Sequence, residues 1–209
     1  MIHVAPAVEP PAFDGLVRVP GRNFLAETPH PTTEQFRSRA YWTRALELLH
    51  HSYRGICAYS CHWIPYDVGA DTVEHFLPKS VHPAQAYEWL NYRFVCQTLN
   101  GRKGMYDDVL DPFIVVNGWF LIDFPSLLVR PADNLDPPTT QRIIETINRL
   151  RLNDEATCYK SRQRYVKDYC VHGLPFSLVQ RDAPFIAGEI ERQGYVGTLN
   201  DLMGYEPEF

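Results

Sequence analysis

Long apolar runs are what this 209-residue sequence most plainly lacks. The longest, Phe113 to Phe124, is interrupted by Asn117, Gly118 and Asp123. It falls short of the ~20 residues needed to cross a bilayer, so no membrane partner is expected. Cysteines number five, an odd count that excludes a closed disulfide framework and favours free thiols or metal ligands. Glycine is scarce beside proline, 12 against 17, while aromatics reach 13%; a collagenous or disordered chain carries no such ring surface. Positive charge is not in excess either, because the net charge is −5, and bulk attraction to polyanions is not what the composition offers. The opening MIHVAPAVEPPAF has neither a basic stretch nor an apolar core of the kind that directs export, so a cytoplasmic location is expected.

What is present reads as a globular α+β chain in three parts. Residues 1–32 are proline-rich with little periodicity and read as an extended arm. Residues 33–112 form the central part. Thr32 and Thr33 precede apolar positions Phe36, Ala40, Leu46 and Leu49 before Gly55, the pattern of an N-capped helix over 33–54. The stretch 56–67 reads as β-rich, DTVEHFLPKS as a short strand ending at Pro78, YRFVC as a second strand and CQTLNGRKG as a helix running out in glycine. Residues 113–209 hold FIVV-NG-WFLI, where Asn-Gly predicts a type I′ hairpin, then helices near 138–151, 154–171 and 183–193. Charge is uneven within this part: Arg149 to Lys167 holds six cations, and residues 181–209 are acidic. The basic block reads either as a nucleic-acid track or as the solvated face of two helices.

The chemistry-bearing residues lie in order: Glu74-His75, Asn91 sixteen positions after His75, Asn100 nine further on, then Lys103-Gly104, with Cys57, Cys61 and Cys96 flanking them. The text VEHFLPKS followed by WLNYRFVCQTLNGRKG resembles the HNH endonucleases, over about a quarter of the chain. The resemblance implies a ββα-metal core, hydrolysis of phosphodiester bonds, His75 as general base, and Glu74 and Asn100 as ligands of magnesium or manganese. It also implies that Asn91 holds the loop and the imidazole by hydrogen bonds. A neutral imidazole suits removal of a proton from water, and oxygen ligands suit a hard divalent cation. Adjacent residues of a strand point to opposite sides, so Glu74 and His75 share a site only if the strand end twists. Lys79 and Lys103, with Arg164 and Lys167 of the basic block, are the candidate phosphate contacts.

Two departures from that pattern stand out. Glu74 takes the place where Asp is commonest. The cysteines at 57 and 61 are spaced C-x3-C, and Leu99 occupies the expected fourth cysteine position, so a structural zinc at Cys57, Cys61 and Cys96 is incomplete. These thiols are expected to pack as small apolar groups. His50, His51, His62 and His82 are assigned no role, and Trp42 and Trp89 read as core anchors rather than base-stacking platforms. Farther on, IIETINRLRLNDEATCYKSRQRY resembles the helical segment of the HNH subunits of Septu-type phage-defence pairs, which implies an ATPase partner subunit and a DNA substrate before an RNA one. A catalytically silent nucleic-acid-binding or scaffold subunit, or an RNase using the same site, remain as alternatives.

Overall fold

The computed structural model describes residues 1–66 and 71–206, and the chain divides into two compact units. The first comprises residues 5–58 and 64–107, and the second residues 1–4, 59–63 and those from 108 onward.

In the first unit the order is α1 (Val19–Glu27), α2 (Thr33–Ser38), a 3-10 turn (Tyr41–Ala45), α3 (Leu46–Ser52), β1 (Asp71–His75), β2 (Tyr92–Cys96) and α4 (Gln97–Lys103). The strands pair antiparallel, with Val73 opposite Phe94, Glu74 opposite Arg93 and His75 opposite Tyr92. α4 leaves β2 without an intervening loop and stops at Gly104, whose φ of 52° suits a residue without a side chain. This is the predicted strand, loop, strand, helix order.

Three sequence expectations are corrected here. The proline-rich start is not extended throughout: a π-helical turn (Asp14–Arg18) runs into α1, burying Phe13, Val17 and Phe24. Pro20, near the start of α1, has no N–H to give, and the Leu16 carbonyl one turn back accepts from Arg44 Nη1 at 3.2 Å instead. The helix expected over 33–54 is cut in two. Its start is a capping box, Thr32 accepting from Gln35 N while Gln35 accepts from Thr32 N. Its interior fails because Ser38 Oγ donates to the Gln35 carbonyl and Ala40 leaves helical geometry at ψ 50°. The β-rich reading of 56–67 yields only isolated bridges at Ile56 and Trp63, and Asp67 lies outside the described residues.

Gly21 of α1 supplies a packing test. A Cβ there would lie 2.1 Å from Cγ of the buried Tyr87 ring. Helix propensity alone favours Gly21→Ala by up to about 1 kcal/mol. Overpacking costs about 1–3 kcal/mol, so the variant is expected to be destabilised in urea unfolding. A gain in stability would show that Tyr87 yields freely.

The second unit contains β3 (Phe120–Asp123), β4 (Leu128–Pro131), α5 (Pro137–Leu150), α6 (Cys158–Cys170), α7 (Phe176–Asp182), α8 (Pro184–Arg192) and α9 (Leu199–Met203). α5 begins at Asp136, whose carboxylate accepts from Thr139 N, and buries Ile143, Ile147 and Leu150. The hairpin lies further along the chain than Asn117-Gly118 predicts, pairing Phe120–Asp123 with Leu128–Pro131. The reason is local: Asp111 takes the amides of Phe113, Ile114 and Val115 through its side chain and carbonyl, leaving those residues no donors for a ladder. Ser126 N donates to Asp123 in the turn that does form. Among the described residues no helix is long and apolar enough to cross a membrane.

Candidate active site

A cleft of about 510 Å³ opens in the first unit beside the ends of β1 and α4. Glu74, His75, Lys79 and Asn100 all line it, together with Asp71 and Trp42. Glu74 and His75 are both buried although they are strand neighbours, and His75 is the last residue of the ladder, where alternation relaxes.

His75 Nε2 lies 2.9 Å from the Ala86 carbonyl oxygen. A carbonyl only accepts, so Nε2 carries the proton and Nδ1 keeps the lone pair. The Tyr92 hydroxyl donates to the same carbonyl at 2.7 Å, fixing the oxygen from a second side. Burial, with the Lys79 charge nearby, brings the His75 pKa down to about 3, so the ring is neutral at ordinary pH.

Asn91 is buried and ties the loop between the strands. Its Oδ1 accepts from Leu77 N at 2.7 Å, and its Nδ2 donates to the carbonyls of Leu77 and Gln85 at 3.0 and 2.9 Å. Gln85 immediately precedes Ala86, so one amide group sets the position of the carbonyl that selects the histidine tautomer. Asn100 is the fourth residue of the seven-residue α4 rather than its first, and its Nδ2 donates to Thr72 Oγ1 at 2.8 Å. That bond leaves Oδ1 as the acceptor of the amide.

The two lysines differ. Lys79, partly buried in the loop, places its ammonium 4.9 Å over the Trp42 ring. Lys103, expected to meet phosphate, is turned inward: it is 1% exposed and its Nζ lies 2.8 Å from Glu74 Oε1, with longer contacts to the carbonyls of His75 and Gly104. Its stem has only the buried interior beneath α4 to run through, and an acid there captures it. Burial pushes the Glu74 carboxyl up to about 7, while the Lys103 ammonium pulls it down. The ion pair is made on Oε1.

A cation fits this donor set. Glu74 offers a buried carboxylate, whose Oε1 already faces the Lys103 ammonium, and Asn100 an amide oxygen on the same cleft. These are hard oxygen ligands of the type magnesium and manganese accept, with water and substrate phosphate completing the shell. Among the described residues no three His, Cys, Asp or Glu side chains gather as a metal site, which such a water-rich shell does not require. Cys57 and Cys96 are together in the first unit, where Cys57 Sγ accepts from Cys96 N at 3.4 Å, whereas Cys61 belongs to the second unit. Cys57, Cys61, Cys158 and Cys170 are buried and Cys96 is partly buried.

Two cations of the basic block are committed elsewhere. Arg162 is buried, donating to the carbonyls of Leu127 and Leu152, and Arg149 forks onto Asp108. Arg164 is exposed and 3.6 Å from Asp168, and Lys167 is exposed on the same helix. The Ala86 carbonyl, Tyr92 and Trp42 carry no sequence signal for their part in the site.

No family model matches the chain. A stretch of 42 residues is 43% identical to the Septu protein PtuB of Bacillus thuringiensis, covering 20% of this chain and 16% of that protein.

Proposed function

We propose that this chain is a metal-dependent HNH endonuclease that hydrolyses phosphodiester bonds, with DNA as its substrate, and that it serves as the nuclease subunit of a Septu-type antiviral defence system beside an ATPase partner. The observation that carries the reading is the neutral His75, locked through Nε2 to the Ala86 carbonyl in a cleft shared with Glu74, Asn100 and Lys79. The short likeness to a Septu protein supports the defence setting.

In this reading His75 Nδ1 takes the proton from the attacking water, which positioned imidazole does best when neutral. Lys79 meets the scissile phosphate from the loop. Asn91 keeps that loop and the Ala86 carbonyl in place, acting on the imidazole through its tautomer. Glu74 and Asn100 would hold magnesium or manganese, which supplies charge neutralisation of the phosphate and of the departing 3′ oxygen.

Incubating supercoiled plasmid and, in parallel, total RNA with the purified protein and magnesium or manganese tests the reading. Nicked and linear plasmid formed only with metal is the expected result. Intact plasmid with degraded RNA would move the substrate to RNA, and intact nucleic acid in both would leave a silent binding subunit.

The basic block is tested separately. Reversing charge at Arg164 and Lys167 together is expected to lower the slope of log affinity against log salt by about 0.9 for each phosphate that is no longer neutralised. An unchanged slope would place both residues on a face that no phosphate touches.

A further inference from the structure

Two parts of the cleft meet on one side chain. Trp42 belongs to the 3-10 turn that interrupts the helix expected over 33–54, and it lines the cleft instead of being sealed in the core. Its ring is braced from behind by Phe36 and Tyr87, with centroids 6.3 and 5.9 Å away. Toward the cleft it stands edge-on to His75, with centroids 5.0 Å apart and planes at 84°. The Lys79 ammonium lies over the same ring at 4.9 Å.

Each contact restrains a charged or titratable group of the cleft. The bond from Nε2 to the Ala86 carbonyl fixes one atom of the imidazole and leaves its plane able to rock about that atom. Trp42 and Tyr92, the latter 5.1 Å from His75 at 78°, both pack edge-to-face against the imidazole and limit the directions in which Nδ1 can present its lone pair. Lys79 is a flexible four-carbon stem on a loop, and an indole face is the strongest aromatic partner an ammonium finds. Because one rigid ring makes both contacts, the separation of imidazole and ammonium is set by the indole itself.

We propose that Trp42 is a positioning residue of the cleft, orienting the His75 ring and docking the Lys79 ammonium so that proton acceptor and phosphate-binding charge are held at a fixed spacing. This rests on the nuclease reading above. Trp42 acts through His75 in the chemical step and through Lys79 in substrate binding, so its removal acts on both kcat and KM.

The test compares Trp42→Leu, Trp42→Phe, Lys79→Ala and the Trp42→Leu/Lys79→Ala double variant. Plasmid cleavage gives kcat and KM, and the affinity for a labelled duplex is measured with each change placed in a His75→Ala background. Trp42→Leu is expected to weaken duplex affinity by about two- to thirtyfold, the span of a cation–π contact from exposed to desolvated, and to lower kcat as well. Trp42→Phe restores most of both. With Lys79 already removed, Trp42→Leu is expected to leave affinity unchanged while still lowering kcat. An affinity loss of equal size with and without Lys79, or no rescue by phenylalanine in a folded protein, would overturn the proposal. Should Trp42→Leu fail to fold, the wild-type protein decides: absence of an upfield ring-current displacement of the Lys79 ε-methylene protons would overturn it. A wild-type protein that binds duplex without cutting it would end the nuclease reading and still leave the Trp42–Lys79 coupling measurable in the binding arm.

Discussion

His75→Ala is expected to lower metal-dependent cleavage by roughly two to four orders of magnitude, the usual worth of a positioned general base. Duplex affinity and the unfolding midpoint should change little by comparison, because the ring contributes one hydrogen bond and two edge contacts to the fold. The pH profile adds a second check. With the His75 pKa brought down to about 3 by burial, the lone pair on Nδ1 is available throughout the neutral and mildly acidic range. Protonation of His75 therefore does not produce a fall in rate between pH 8 and 6, where an unperturbed histidine would begin to do so. Undiminished cleavage by a folded His75→Ala protein would remove the base from the mechanism, and an acid limb near pH 6.5 that vanishes in that variant would show an open, solvated imidazole.

Lys103→Met is expected to cost about 3–5 kcal/mol of stability at pH 8, because it leaves the Glu74 carboxylate buried without its counter-charge. Adding Glu74→Gln should return most of that loss, since neither group is then charged and the remaining amide is far cheaper to bury. The direction of the pH dependence follows from the carboxyl. Without Lys103, burial of Glu74 outweighs the charges of Lys79 and Arg93 and holds its folded pKa above the unfolded value, so the folded variant binds more protons than the unfolded chain. Stability is then retained below the unfolded pKa and lost as pH rises through the folded one, and the cost of Lys103→Met is smaller at pH 5 than at pH 8. Urea unfolding of the two single variants and the double variant at both pH values measures this. A cost under about 1 kcal/mol at pH 8 would mean that Glu74 reaches water.

The secondary structure around the site was legible in the sequence because its signals are local. Alternation and β-forming residues mark the two strands, although β1 stops at His75 rather than at Pro78, Gly104 stops α4, and Thr32 caps α2. Each depends on neighbours a few positions away, so residue type and spacing suffice. The order of His75, Asn91 and Asn100 was equally visible, and so was the resemblance that their spacing carries. Where local signals competed, reading them singly failed: Asn117-Gly118 lost the hairpin to Asp111, and Ser38 with Ala40 broke a helix whose apolar spacing ran on.

Only the tertiary structure decided which way the charged side chains face and what holds the imidazole. Lys103 and Lys79 are both lysines beside the same motif, yet one is sealed against Glu74 and the other rests over Trp42. The carbonyl that sets the His75 tautomer belongs to Ala86, a residue without functional chemistry in its side chain, and reaches the ring because Asn91 ties down the loop that precedes it. Burial and backbone direction are properties of chain segments brought together across 11 to 33 positions, from His75 to Ala86 or to Trp42. A residue's identity states which charges and donors it owns. Whether these meet water, a carboxylate or an aromatic face is settled by packing, because the desolvation that changes their chemistry exists only once the segments have closed over them.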